Sequence, residues 1–190
     1  MRQCVVALIG ISGVGKSTLL RAVSSRVQFQ HLQASALIKE AREALSTDPV
    51  AADDLRRADI NDNQALLVQG FKNARSPDAL LIVLDGHTVI DTPNGLVHIE
   101  PEVFMRLGVT QFIFLADDPQ AINLRRHHDQ GRNRPPRSPE ELDKHQTHAL
   151  LNAFTAARHL NVPLMVFTLP QADAVCDALQ SVAFPRLRQA

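Results

Sequence analysis

The sequence predicts an α/β fold in which helices cover both faces of a parallel sheet. Short, continuous runs of Val, Ile, Leu and Phe recur along the chain, as is typical of strands buried on both faces. Helical segments separate these runs, and this alternation favours parallel strands joined by right-handed crossovers. The chain has 190 residues, which suits one domain and allows a substantial buried core.

Five strands are predicted, at 3–9, 29–33, 79–84, 110–115 and 163–168, of which the second has the most mixed pattern. Helices are predicted at about 16–26, 34–45, 50–73, 101–107, 117–128, 139–159 and 171–182. The sixth helix has the best-marked start. Ser138 is expected to cap it, Pro139 to occupy its first position and Glu141 to reach back to the cap.

Composition excludes several classes of protein. Lys and Arg together number 20, as do Asp and Glu, so no global charge favours nucleic acid or an anionic membrane as a partner. The two cysteines, Cys4 and Cys176, form no CxxC motif and are expected to be reduced. No apolar run is long enough to span a membrane, and the N-terminus lacks a signal-peptide pattern. We therefore expect a cytoplasmic protein, and leave open whether it forms a homo-oligomer.

The stretch GISGVGKST, from Gly10 to Thr18, matches the P-loop pattern G-x-x-x-x-G-K-[ST] between a strand and a helix. Its glycines let the backbone wrap closely around phosphate, and its N–H groups and the helix N-terminus face the anion. Lys16 is expected to neutralise the β- and γ-phosphates, and Ser17 to hold Mg²⁺. The predicted triphosphate-binding residues are Gly10, Gly13, Val14, Gly15, Lys16, Ser17 and Thr18.

The P-loop alone does not choose between a GTPase, an ATPase and a small-molecule kinase. No N-K-x-D run is present, which argues against a GTPase of the usual kind, and the chain is short for a helicase or ring ATPase. Asp85 ends the third apolar strand, so it is expected beside the P-loop, where a carboxylate can hold Mg²⁺. A strand-ending cap is the alternative for Asp85, and His87 either contacts substrate or fills space.

Five arginines lie between Arg125 and Arg137, with Gly131 and two prolines interrupting the helical pattern. Such a segment can form a lid whose guanidinium groups stabilise the charge of a transferring phosphoryl group. A solvated basic loop or an RNA-contacting patch is the alternative. This segment is the one feature that leaves nucleic acid open as a partner.

The long segment between the second and third strands can form the wall of a second substrate pocket. It offers Ser35, Arg42, Arg56 and Arg57, although isolated arginines on a helix more commonly face solvent.

Together these pieces resemble the archaeal-type adenylate kinases along nearly the whole chain. The resemblance is carried by VVALIGISGVGKST, LDGHTVIDTPNG, LRRHHDQGRNR and EELDKHQTHALLNA, the second of which is similar to that family's D-x-H…I-x-T-P-x-G block. It implies a P-loop NTPase three-layer fold with strand order 2-3-1-4-5. It also implies a core of 1–33, 79–124 and 139–184, a monophosphate-binding insert at about 34–78, and a lid at about 125–138.

The resemblance implies Mg²⁺-dependent transfer of the ATP γ-phosphoryl group to a nucleoside monophosphate, with AMP the expected acceptor. The implied catalytic residues are Lys16, Asp85, Arg126, Arg132 and Arg134, with Ser17 and Asp85 as the Mg²⁺ ligands. The implied monophosphate contacts are Ser35, Arg56, His87, Thr92 and Gln146.

Three departures from the family pattern concern the acceptor more than the donor. They are Gly86 in place of a hydroxyl residue, the prolines of RPPRS, and LVHIE at 96–100. Two alternatives therefore stay open. One is an ATPase or nucleotide-dependent assembly factor with an RNA or protein partner, and the other is a kinase for a non-nucleotide metabolite.

Overall fold

A computed structural model describes residues 3–45, 60–92, 94–129 and 135–183. The strands are β1 (Cys4–Ile9), β2 (Gln30–Gln33), β3 (Leu81–Gly86), β4 (Val89–Thr92), β5 (Gly95–His98), β6 (Gln111–Ala116) and β7 (Leu164–Thr168). The helices are α1 (Lys16–Ser24), α2 (Ala34–Leu45), α3 (Ile60–Ala74), α4 (Pro101–Arg106), α5 (Pro119–His128), α6 (Pro139–Leu160) and α7 (Ala172–Ala183), with a 3₁₀ turn at Leu169–Gln171 before α7.

The main sheet has five parallel strands in the order β2-β3-β1-β6-β7. Counting only these five strands, this is the 2-3-1-4-5 order that the resemblance to the archaeal-type adenylate kinases implies. The three inner strands are almost completely buried, as their continuous apolar runs predict. Because all five strands run the same way, their carboxyl ends share one edge, where β1 leads into the P-loop and β3 ends at Asp85 and Gly86.

The five predicted strands are confirmed within two residues at each end, including β2. The antiparallel hairpin of β4 and β5 was not predicted. Its strands have only four residues each, and the turn residues between them were interpreted as a turn alone. Gly95 closes that turn with a φ of 119°, a conformation that glycine adopts without strain.

The predicted helices are confirmed where the structure describes them. For the third, only 60–74 is described, and positions 50–59 of the prediction lie outside the described residues. The capping box of α6 is formed as predicted, since the Ser138 side chain accepts from the Glu141 N–H and the Glu141 carboxylate accepts from the Ser138 N–H. Cys4 and Cys176 form no disulfide within the described residues.

Helix α6 attaches the hairpin region to the sheet. Asn152 is 8% exposed, and its amide donates to the backbone oxygens of Thr88 (2.7 Å) and Ile99 (3.0 Å), which flank the hairpin. The Thr88 hydroxyl in turn donates to the Ala149 carbonyl. Buried polar contacts of this kind fix one relative position of helix and hairpin. Within the described residues, no helix is long and apolar enough to cross a membrane.

Asn152→Ala is expected to lower the free energy of unfolding by about 1–3 kcal/mol, because it removes both buried hydrogen bonds of the amide. Chemical denaturation measures this change. Asn73→Ala is the matched control, since Asn73 is exposed and only accepts from Gln69 on the same helix. Equal unfolding midpoints for the two variants would show that Asn152 does not hold the hairpin.

Candidate nucleotide-binding site

The centre of the site is a buried lysine at the junction of β1, β3 and α1. Lys16 is 8% exposed, and its ammonium group donates to the Gly10 carbonyl at 2.9 Å. The same nitrogen lies 3.8 Å from a carboxylate oxygen of Asp85, which is 6% exposed. Two opposite charges are thus brought together at the carboxyl edge of the sheet, as predicted for Lys16 and Asp85.

The P-loop glycines are required by close packing. At Gly10 (φ 155°) an added Cβ would lie 2.6 Å from the Leu115 carbonyl oxygen, and at Gly13 (φ 88°) it would lie 2.7 Å from the Arg126 Cγ. Gly15 precedes the first residue of α1 in a left-handed conformation. A concave backbone of this shape, ending at a helix N-terminus, is the geometry that binds phosphate.

The residues present suit ATP and Mg²⁺. Ser17 and Thr18 are exposed in the first turn of α1, where their hydroxyls are accessible. The described residues contain no cluster of three or more His, Cys, Asp or Glu side chains that could hold a metal by themselves. A hydroxyl and one carboxylate fit Mg²⁺, which in nucleotide sites takes much of its coordination from phosphates and water.

The predicted acceptor-side residues are placed in different settings. His87 lies beyond β3, with its Nδ1 2.7 Å from the Gly10 carbonyl, so it contacts the P-loop itself. Ser35 is exposed in the first turn of α2, next to Ala34, whose Cβ would lie 3.5 Å from a Cβ at Gly86. His87 and the start of α2 are therefore close to the end of β3, where an acceptor is expected.

Two other predicted acceptor-side residues have local structural partners. The Thr92 hydroxyl donates to the Gly95 carbonyl within the β4–β5 turn. The Gln146 amide accepts from the Asp117 N–H at 3.0 Å and donates to the Asp117 carbonyl at 2.8 Å, so it completes the backbone after β6. Their assignment to the monophosphate remains a prediction, and Arg56, Arg132 and Arg134 lie outside the described residues.

Two residues beside the site were not assigned from the sequence. The Arg125 guanidinium donates to the Gly13 carbonyl at 2.9 Å and pairs with Asp117 at 2.6 Å, which ties the end of α5 to the P-loop. His31 on β2 lies 4.0 Å from the second carboxylate oxygen of Asp85. Arg125 was noted within the arginine-rich segment, but the sequence does not distinguish it from Arg126.

The neighbouring Arg126 belongs to an ionic cluster. It donates to the Pro135 carbonyl at 3.0 Å and lies 3.9 Å from Asp91 of β4, which also accepts from Arg137 at 2.8 Å. His145 of α6 is 5% exposed and is buried beside this cluster. Burial lowers the pKa of His145. Asp91 and a backbone contact with Val89 partly oppose this effect, and Arg126 and Arg137 reinforce it.

Comparison with known proteins agrees with this geometry. The profile of a family described as AAA domain matches residues 9–143. Adenylate kinase from Pyrococcus horikoshii is 30% identical over 167 residues, which cover 85% of this chain and 84% of that protein. Adenylate kinase from Thermoplasma acidophilum is 31% identical over 153 residues, which cover 79% of this chain and 80% of that protein.

Solved structures show the same fold at low sequence identity. Shikimate kinase from Acinetobacter baumannii superposes with a TM-score of 0.58 at 16% identity, covering 98% of this chain and 96% of that one. A gluconokinase from Sinorhizobium meliloti superposes with a TM-score of 0.52 at 20% identity, and the match covers 96% of this chain and 94% of that one.

The fold and the glycine-rich loop define a P-loop nucleotide-binding protein of the α/β class. The extent of the match to the archaeal enzymes then narrows the class. The chain belongs to the adenylate kinase family. Its residues 9–143 also belong to the family described as AAA domain.

Gly10→Ala is expected to weaken binding of a fluorescent ATP analogue and to destabilise the fold by about 1–3 kcal/mol, because the new methyl group meets a backbone carbonyl that cannot move aside. Fluorescence titration and chemical denaturation measure the two effects. Gly86→Ala is the matched control, since its Cβ would make only an ordinary contact. Wild-type affinity and stability in Gly10→Ala would show that the loop is not packed as described.

The free energy of unfolding is expected to decrease as the pH falls below about 6.5, in part because of His145. The folded chain lowers the pKa of this histidine, so the unfolded chain takes up the proton first and is favoured by acid. His145→Asn should make the decrease between neutral and acid pH smaller, as measured by denaturation at several pH values. Parallel profiles for wild type and His145→Asn would contradict the assignment.

Proposed function

We propose that this protein is a nucleoside monophosphate kinase that transfers the ATP γ-phosphoryl group to AMP. The observation that carries the proposal is the convergence of Lys16, Asp85 and Arg125 on one P-loop. Membership of the adenylate kinase family supports the reaction class, and the archaeal adenylate kinases match over most of both chains.

The donor side follows from the P-loop. Its backbone would receive the triphosphate, with Lys16 moving from the Gly10 carbonyl to the phosphate oxygens. Ser17 and Asp85 would hold Mg²⁺, whose role when bound is to neutralise charge on the β- and γ-phosphates. Arg125 already contacts the outer carbonyls of the loop, so it holds α5 against the nucleotide side.

The acceptor side is assigned to the space beyond β3. Ser35 and His87 are the predicted residues at this position, and His31 adds a nitrogen near Asp85. Arg56, Thr92 and Gln146 remain predicted monophosphate contacts, and Arg132 and Arg134 remain predicted catalytic arginines. In such a site the side chains orient the acceptor phosphate for in-line attack and exclude water, with no covalent step on the protein.

An acceptor panel tests the proposal. Purified protein is mixed with ATP and Mg²⁺, and each nucleoside monophosphate is added in turn while ³¹P NMR follows the nucleotides. ADP formation that requires AMP is the expected result, at two ADP per transfer. ATP hydrolysis whose rate does not change with any monophosphate and increases with RNA would contradict the proposal. It would favour an ATPase with an RNA partner.

Lys16→Ala is expected to lower the rate of this transfer by at least about 10²-fold, because no other ammonium group replaces the lost charge at the phosphates. Coupled-enzyme kinetics at saturating ATP and AMP measure the loss. Lys72→Ala, on the exposed face of α3, is the matched control and should retain the wild-type rate. Equal rates for Lys16→Ala and wild type would place the reaction outside the P-loop.

A further inference from the structure

Asp91 connects parts of the chain that are distant in sequence. It lies on β4, six residues after Asp85, and its two carboxylate oxygens receive Arg137 at 2.8 Å and 3.4 Å. Arg126, from the last turn of α5, lies 3.9 Å from the same carboxylate. One carboxylate on the hairpin thus faces two arginines, one near each end of the arginine-rich segment.

The burial of this cluster makes its charge consequential. The side chains of Asp91 and Arg126 are 11% and 8% exposed, and that of Arg137 is 27% exposed. Removing one partner of a buried ion pair leaves the other charge poorly solvated, so an arginine that loses its carboxylate tends to adopt another position. Burial lowers the pKa of His145 and so disfavours a further positive charge beside Asp91.

Arg126 also touches the P-loop directly. A Cβ added at Gly13 would lie only 2.7 Å from the Arg126 Cγ, so this position accommodates a glycine and no larger residue. The hydrogen bond to the Pro135 carbonyl and the ion pair with Asp91 restrict the position of the guanidinium group. A shift of the Asp91 carboxylate would therefore change where the Arg126 charge stands relative to the loop.

We propose that Asp91 is a positioning residue that sets the place of the Arg126 guanidinium beside the P-loop. The inference rests on the proposed phosphoryl transfer, in which a misplaced charge near the transferred group slows the chemical step more than it weakens ATP binding. Asp91 acts through Arg126 and Arg137 and does not itself touch the nucleotide.

Asp91→Asn tests the proposal, since it removes the charge while keeping the shape. The expected result is a decrease in kcat of about 10²-fold with the KM for ATP unchanged, because small misplacements of a charge near the reacting atoms cost about this much. Asp91→Glu should recover part of the lost kcat, because it restores the carboxylate. Asp173→Asn is the matched control, since Asp173 pairs with Arg26 at an exposed site on α7.

A second measurement keeps the test decisive if the rate changes for structural reasons. NMR titration of His145, assigned with His145→Asn, reports the cluster without any turnover. Asp91→Asn should shift the pKa of His145, since the carboxylate and the two arginines that it positions all act on this ring, and Asp173→Asn should not change it. Arg137→Gln, at a more exposed position, should reduce kcat less than Asp91→Asn while leaving the fold intact.

The outcomes separate this inference from the proposed function. An unchanged kcat in Asp91→Asn, or a rise in the KM for ATP that matches the fall in kcat, would overturn the positioning role. If the wild-type protein transfers no phosphoryl group to any monophosphate, the proposed function fails. The inference is then judged on ATP hydrolysis, and equal hydrolysis rates for wild type and Asp91→Asn would overturn it too.

Discussion

The contact of the Lys16 ammonium group with the Gly10 carbonyl, beside the Asp85 carboxylate, is the interaction on which the site depends. It joins the ends of two central strands to the first turn of α1. A buried ammonium group is costly unless it is paired and hydrogen-bonded, so the loop backbone must adopt the shape that satisfies it. The same shape presents N–H groups to an anion, which links the stability of the loop to its binding function.

Other cations are organised around this loop by backbone oxygens as much as by carboxylates. Arg125 binds the Gly13 carbonyl and Arg126 the Pro135 carbonyl, while Asp117 and Asp91 provide one carboxylate for each side. The two adjacent arginines thus have distinct tasks. One holds α5 to the P-loop, and the other lies between the loop and the hairpin.

Much of this arrangement was predictable because it depends on local patterns. The P-loop motif, the buried strands and the capping box of Ser138 and Glu141 each follow from a few consecutive residues, and the structure confirms them. The position of Asp85 followed from the common edge of parallel strands. At these places the local sequence pattern and the overall fold favour the same structure, so the structure can be predicted from the sequence.

The rest depends on contacts between distant segments. The four-residue strands β4 and β5 carry too short a pattern to be recognised, and their pairing is supported by Asn152 from α6. The amide of Gln146, whose monophosphate contact remains a prediction, pairs with the backbone of Asp117, 29 residues away in sequence. The separate tasks of Arg125 and Arg126 follow from the direction each takes at the end of α5, and no spacing rule in the sequence specifies this.

A crystal structure with a non-hydrolysable ATP analogue and Mg²⁺ tests the central claim most directly. We predict the β- and γ-phosphates in the loop of residues 10–15, with the Lys16 nitrogen on phosphate oxygens and the metal between Ser17 and Asp85. A nucleotide bound elsewhere, with Lys16 still on the Gly10 carbonyl, would contradict it.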